Sequence, residues 1–499
     1  MNLLKFLVTF FLVIMIMAYG LLFTDRGNSI IKPIIELEIS DKILLPVKLE
    51  IFKLKPEKFD IKLIIDNKAS IYFNGSLNFL TQSLELFYDI NIDDLSKFKM
   101  LVGRKLNGTL KTNGTIKGDK YIIHINGKTN LANSDTFYNI ELKDFKPKKI
   151  KTTIKHLQID RLLYTIDQPV YSNGIANIKA DINNLDFEKL NGNIITKISN
   201  STLNPEPFKR EFNISIPSNI TINADINTKL HGTKAISSLN VISSINKLVS
   251  EVITYDLKKN SLTADYKLEI PDLDKLYFIT NKHMQGDITI IGNIKRAENF
   301  MQATAHADTL EGAVDLQLKN EDMNINIKNI QTVALTDMLL YPHIFDSRTN
   351  AKIQYNINSR KGTLYAELYE GQILPNKMSF LIKEFTNFDI TKEIYERTVL
   401  DTKIDKKVLH SNLHMKSRFT EITSKNSIID LEKETIDTTL DINVKKSIIP
   451  VSLIGSLRKP SIKIEGGELI KNRAIKEIEK KLPEVIKNSP LKDLIKNLF

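Results

Sequence analysis

From about residue 40 onward the chain alternates apolar and polar residues with a period of two. The clearest runs are Ile178-Lys179-Ala180-Asp181-Ile182, Ile222-Asn223-Ala224-Asp225-Ile226, Met323-Asn324-Ile325-Asn326-Ile327 and Leu440-Asp441-Ile442-Asn443-Val444. Successive side chains of a strand point to opposite faces, so this pattern places aliphatic groups on one side and Asn, Asp or Lys on the other. The expected elements are half-buried antiparallel strands. Asn-Gly pairs at Asn107-Gly108, Asn113-Gly114, Asn126-Gly127, Asn173-Gly174 and Asn191-Gly192 supply turn signals at short intervals. Helices are expected only at the N-terminus, over residues 95–102, 273–282 and 335–340, and near the C-terminus.

The chain also repeats itself. Shifted by 178 residues, Ser83 to Lys117 falls on Ser261 to Lys295 without a gap, with Tyr88/Tyr266, Asp94/Asp272, Gly108/Gly286 and Gly114/Gly292 among the identities. The register then drifts. Leu162-Leu163-Tyr164 meets Leu339-Leu340-Tyr341 at 177, Ile178 and Ile182 meet Ile353 and Ile357 at 175, and Gly192 and Pro205 meet Gly362 and Pro375 at 170. Each unit reads as strands, a short helix, a glycine turn and a further run of strands. Serial duplication of such a unit predicts a mainly β, elongated antiparallel sheet in which units pack on their neighbours. The expected divisions are residues 1–26, 40–210 and 211–385 for two repeat units, 386–465 for a C-terminal β block, and 466–499 for a helical tail.

Residues 6–23 form an uncharged apolar run, FLVTFFLVIMIMAYGLLF. At about 1.5 Å per residue it nearly crosses a hydrocarbon core of about 30 Å. A cleaved signal peptide is the rival reading, because Ala18-Tyr19-Gly20 offers small residues at a cleavage position. The run continues through Leu21-Leu22-Phe23, which favours an uncleaved transmembrane helix with the short N-terminus cytoplasmic. No later stretch approaches a second span, so the remaining chain lies on one side of a membrane, the periplasm in a bacterium. The sequence has no cysteine, which excludes disulfides, thiolate zinc sites and Fe–S clusters.

The C-terminal block carries a strand, then Gly455, Leu457, Pro460 and Ile462 in a Gly-x-Leu-x-x-Pro-x-Ile arrangement, a further strand, and an amphipathic helix over residues 468–482 with Leu469, Ile470, Ala474, Ile475, Ile478 and Leu482 on one face. This block resembles that of the AsmA-like and TamB-like envelope proteins. The N-terminal anchor running into Leu22-Phe23-Thr24-Asp25-Arg26-Gly27 resembles that family too, as do the turns Leu106-Asn107-Gly108 and Met284-Gln285-Gly286. The resemblance implies an inner-membrane-anchored periplasmic protein whose curved sheet forms an open apolar groove that moves phospholipid towards the outer membrane. Apolar members of the alternating runs are then the groove candidates: Ile178, Ala180, Ile182, Ile222, Ala224, Ile325, Ile327, Ile442 and Val444.

Catalytic motifs are missing: no G-x-S-x-G, Walker A or G-x-G-x-x-G occurs, and neither an enzyme nor a cofactor is expected. His410 and His414 sit four apart in a strand-like run without the glutamate of a helical zinc motif, and no metal site is expected there. The basic run Lys143, Lys146, Lys148, Lys149, Lys151 and Lys155 has a single aromatic, Phe145, so it suits a solvated turn or an anionic surface better than nucleic acid. Glu211-Phe212-Asn213-Ile214-Ser215 matches an acidic N-glycosylation sequon, leaving modification of Asn213 open. The expected partners are phospholipid, the inner membrane and an outer-membrane protein, without nucleic acid. The second reading is a periplasmic scaffold that offers its sheet edge to outer-membrane proteins.

Overall fold

The computed structural model describes residues 20–464 except Phe79 and Lys446. Most of the apolar run 6–23 and the whole tail 466–499 therefore lie outside the described residues. Among the described residues no helix is long and apolar enough to cross a membrane. The described chain is mainly β, with 26 strands assigned to one open antiparallel sheet. It separates into two compact units, up to Leu262 and from Thr263.

In the first unit every strand from Val47–Leu54 to Lys247–Asp256 pairs with its successor in sequence. The second unit is likewise a meander from Ile288–Ala297 to Ser461–Ile464. Directly opposed residues of an antiparallel pair share a face. Following the register across strands therefore shows how the alternation sums. In the first unit one row runs Leu63, Ile71, Ile90, Thr112, Thr129 and Thr136. Another runs Ile116, Ile125, Ile140, Ile150, Ile182 and Gly192. Both belong to one largely aliphatic face. The opposite face carries Lys117, His124, Glu141, Lys149 and Asp181.

Elements recur as the sequence repeat suggests. Ser83–Ile92, Leu95–Phe98, Lys99–Val102 and Leu110–Asp119 reappear as Ser261–Ile270, Leu273–Leu276, Tyr277–Thr280 and Ile288–Ala297, 178 residues on. Asp94 and Asp272 cap the two 3-10 turns, and Gly108 and Gly286 occupy positive φ and accept the N–H of Leu95 and Leu273. Beyond this block the structure corrects the register. Helix Ile159–Thr165 corresponds to Thr332–Met338 at 173, since the Asn107 N–H donates to the Thr165 carbonyl as the Gln285 N–H donates to that of Met338. The counterpart of Leu162-Leu163-Tyr164 is thus Leu335-Thr336-Asp337. Similarly Ile178 opposes Ile154 as Ala351 opposes Ile327, so Ile178 matches Ala351 and not Ile353. Both slips equal a period of the element concerned, about one turn of helix or one alternation of strand, and such a slip leaves the apolar face unchanged.

Four helices were not expected at all, Ile159–Thr165 among them, besides the shift of 335–340 to Thr332–Met338. Pro205–Phe212 and Lys377–Thr386 follow equivalent strands and start from Asn caps, Asn204 and Asn376. Asp25–Ile43 runs along the first strand, Val47–Leu54. Its Asn28 accepts the Leu54 N–H and donates to the Leu54 carbonyl, at 3.2 and 3.0 Å, and Glu36 accepts the Leu49 N–H at 2.6 Å. The helix thereby satisfies backbone groups that an edge strand leaves bare.

Candidate functional site

The aliphatic faces are only partly covered. Short helices fold over strand ends and close three cores among the described residues. Phe98 packs with Ile65 and Ala69, and Leu162 with Leu157 and Ala176. The largest core gathers Met378, Ile382 and Ile390 onto Tyr395, Met415, Ile422, Ile442 and Val451. Away from these helices the face remains half-buried: side chains pack laterally against neighbouring strands, yet keep a solvent-accessible top that a covering sheet would remove.

Register places the candidates accordingly. Ile178, Ala180 and Ile182 oppose Ile154, Thr152 and Ile150 on one side, and Thr196, Ile194 and Gly192 on the other. Ile222 and Ala224 lie on that same face through Ser201 and Ile198. In the second unit Ile325 and Ile327 oppose Leu316 and Val314, then Ile353 and Ala351. Ile178, Ile182, Ile222, Ile325 and Ile327 are half-buried, whereas the small Ala180 and Ala224 are buried. Ile442 and Val444 occupy the aliphatic face as well, but they are 0% and 3% exposed inside the core under helix Lys377–Thr386. They line no open surface.

Beside that core the face opens into an apolar cavity of about 580 Å³ within the second unit. Its walls include Leu368, Leu400, Leu413, Met415, Leu440 and Leu453, and residues 342–345 and 458–460 border it. Sequence reading passed over these side chains. Leu409, Ser411, Leu413 and Met415 do alternate with His410, Asn412 and His414, but serines and threonines interrupt the aliphatic signal here. Thr402 bonds Ser411 at 2.9 Å and Ser427 bonds Ser424 at 2.9 Å, all buried on the same face. Larger open depressions of about 690 and 610 Å³ involve Asn113, Asn126, Lys151 and Asp181 in one unit and Asn293, His306, Asp315 and Asn326 in the other. These polar residues lie opposite the aliphatic face.

Charge on the polar face is balanced across strands, as in Lys151–Asp181 at 3.2 Å and Lys117–Glu85 at 3.3 Å. Exposed pairs of this kind contribute little stability each. Glu367 is the most perturbed carboxyl there, held down to about 2 by hydrogen bonds from the Tyr369 and Tyr365 hydroxyls and the Arg397 guanidinium. His410 and His414 are exposed on the polar face, and His414 Nε2 meets Glu421 at 2.9 Å. Among the described residues no group of three or more acidic or histidine side chains is placed to hold a metal. Within the basic run, Lys149 pairs with Glu141 at 3.5 Å and Lys148 donates to Asn184 at 3.1 Å. Asn213 is the exposed left-handed C-cap of helix Pro205–Phe212.

Within each unit the arrangement offers a run of apolar contact, aligned strand by strand, with most charged strand residues on the reverse side and basic side chains bordering the cavity of the second unit. No family model, curated protein or solved structure matches the chain.

Proposed function

We propose that this protein is a non-enzymatic carrier of phospholipid, which passes along the aliphatic face as an open apolar groove while the residue 6–23 segment holds the chain in the inner membrane. The observation that carries this reading is the register. Aliphatic side chains of consecutive strands fall in continuous rows and remain half-buried. An aliphatic surface that the described residues leave open gains by being covered with another apolar phase, at roughly 25 cal/mol per Å² removed from water, and acyl chains supply such a phase. The charged reverse face keeps the sheet soluble. Delivery towards an outer membrane is the destination that the resemblance to AsmA-like proteins implies.

Photocrosslinking tests the reading. A photoreactive side chain at Ile178 or Ile325 should capture lipid from membranes, whereas the same group at the neighbours Lys179 or Asn326 should not. Equal labelling on both faces, or none, sinks the carrier. The alternative, a scaffold that pairs its sheet edge with outer-membrane proteins, finds the N-terminal edge occupied by helix Asp25–Ile43.

A further inference from the structure

We infer that the cavity beside helix Lys377–Thr386 is a dedicated acyl-chain site that prefers lipids with an anionic head group. This rests on the carrier reading and adds to it a selective station at one place on the face.

Three observations carry it. First, the cavity has aliphatic walls, and its roughly 580 Å³ falls within the range of about 300–1,000 Å³ usual for small-molecule sites. Second, among the described residues every charged side chain bordering it is basic or histidine: His343, Lys377, Arg458 and Lys459. Two of these already have partners. His343 Nε2 meets Asp337 at 2.6 Å, while Arg458 lies 3.5 Å from Glu434 and donates to the Leu340 carbonyl at 3.0 Å. Lys377 and Lys459 are exposed and form no ion pair with a described residue. They are left to meet a phosphate or other acidic head at the mouth. A phosphocholine head is zwitterionic, and its ammonium would add charge of the same sign to this rim, offsetting the attraction of its phosphate.

Third, a polar group inside is unsatisfied. Thr398, 2% exposed and part of the lining, has a hydroxyl without a hydrogen-bond partner among the described residues. It stands between Leu368 and Met415 in the strand register, both of which also line the cavity. Rotation about χ1 exchanges the hydroxyl and methyl of a threonine, and a buried hydroxyl with no acceptor is driven to find one. An ester carbonyl at the top of an acyl chain is such an acceptor. The combination of aliphatic depth, one internal donor and an ammonium-bearing mouth fits an anionic acyl lipid from tail to head.

The test uses the full-length protein and vesicles of phosphatidylglycerol or phosphatidylcholine with matched acyl chains. A photoreactive residue replaces Leu413 in one variant and Ile325 in another. At Leu413, capture of phosphatidylglycerol should exceed that of phosphatidylcholine by about 5- to 30-fold, the range for one to two lysines acting on an anionic head. In the K377E/K459E background, whose two sites are exposed and structurally tolerant, that preference should vanish while capture at Ile325 persists. T398V should weaken capture at Leu413 alone. Equal capture of both lipids at Leu413, a preference that survives charge reversal, or crosslinking of Leu413 to the tail 465–499 overturns the assignment. Lipid at Ile325 with none at Leu413 overturns it while leaving the carrier intact; lipid at neither removes both.

Discussion

Tyr88 lies directly across from Gly114, and that pairing explains why both recur 178 residues later as Tyr266 and Gly292. A Cβ at Gly114 would stand 2.0 Å from the Asn126 carbonyl oxygen and 2.6 Å from the Tyr88 hydroxyl. At Gly292 it would meet the Thr304 carbonyl at 2.0 Å and the Tyr266 ring at 2.7 Å. The ring covers a position that no side chain can fill. Gly114→Ala should therefore destabilise the first unit by about 1–3 kcal/mol, as overpacking does, measured by urea denaturation; unchanged stability would show that the strands give way freely. Tyr395 illustrates the opposite, a large side chain sealed in the core. Burial pushes its hydroxyl up to about 12, despite the hydrogen bond donated by Thr420 at 2.9 Å. Raising the pKa of a tyrosine means that the folded state favours the neutral form. Its contribution is complete below about pH 10 and is lost as pH rises from about 10 to 12, because the unfolded chain ionises first. Stability should decline over that window by up to about 2–3 kcal/mol through this group. Tyr395→Phe should flatten that part of the decline in denaturation followed at successive pH values.

At the scale of elements, local pattern was legible where it was repeated and was lost where tertiary contacts decide. The alternating runs announced their strands because both faces of each strand are written into the sequence. Helix Asp25–Ile43 was hidden by Pro33 and several β-branched isoleucines, which weaken intrinsic helix propensity. It is held instead by Asn28 and Glu36 on the adjoining strand edge. Asn204-Pro205 and the capping box of Asn376 and Ser379 were readable start signals for two of the other missed helices, Pro205–Phe212 and Lys377–Thr386. Short length and flanking strand-like sequence masked them. Asn28→Ala should separate the edge role from ordinary packing. It leaves the Leu54 N–H and carbonyl without their partner, at a cost of about 1–3 kcal/mol for buried polar groups. It should also promote self-association through the freed edge. Sedimentation alongside thermal denaturation checks both, and a monomeric variant of native stability would deny the helix its protective role.

For the molecule as a whole, sequence tells which side chains share a face and is silent on which part of that face is covered. Ile325 and Ile442 sit in indistinguishable runs, each between asparagine or aspartate neighbours. The difference arises from distant chain: helix Lys377–Thr386 brings Met378 and Ile382 into the core that contains Ile442, while among the described residues Ile325 has no such cover and is half-buried. One substitution should then have two outcomes. Ile442→Asp places a carboxylate at a site that is fully buried, where an unpaired charge costs several kcal/mol and the second unit should lose cooperative folding. Ile325→Asp puts the same carboxylate where water can reach it, so folding should survive with a loss of at most about 1–2 kcal/mol, largely the forfeited burial of one aliphatic side chain. On the lipid-carrier reading the folded Ile325→Asp protein nonetheless loses lipid passage, because acyl chains must cross a charged strip, and Asn326→Asp on the reverse face does not. Circular dichroism melts and mass spectrometry of co-purified lipid read the two effects separately. A melted Ile325→Asp protein would mean that this face is a closed core, and a folded one that carries a full complement of lipid would mean that lipid travels elsewhere.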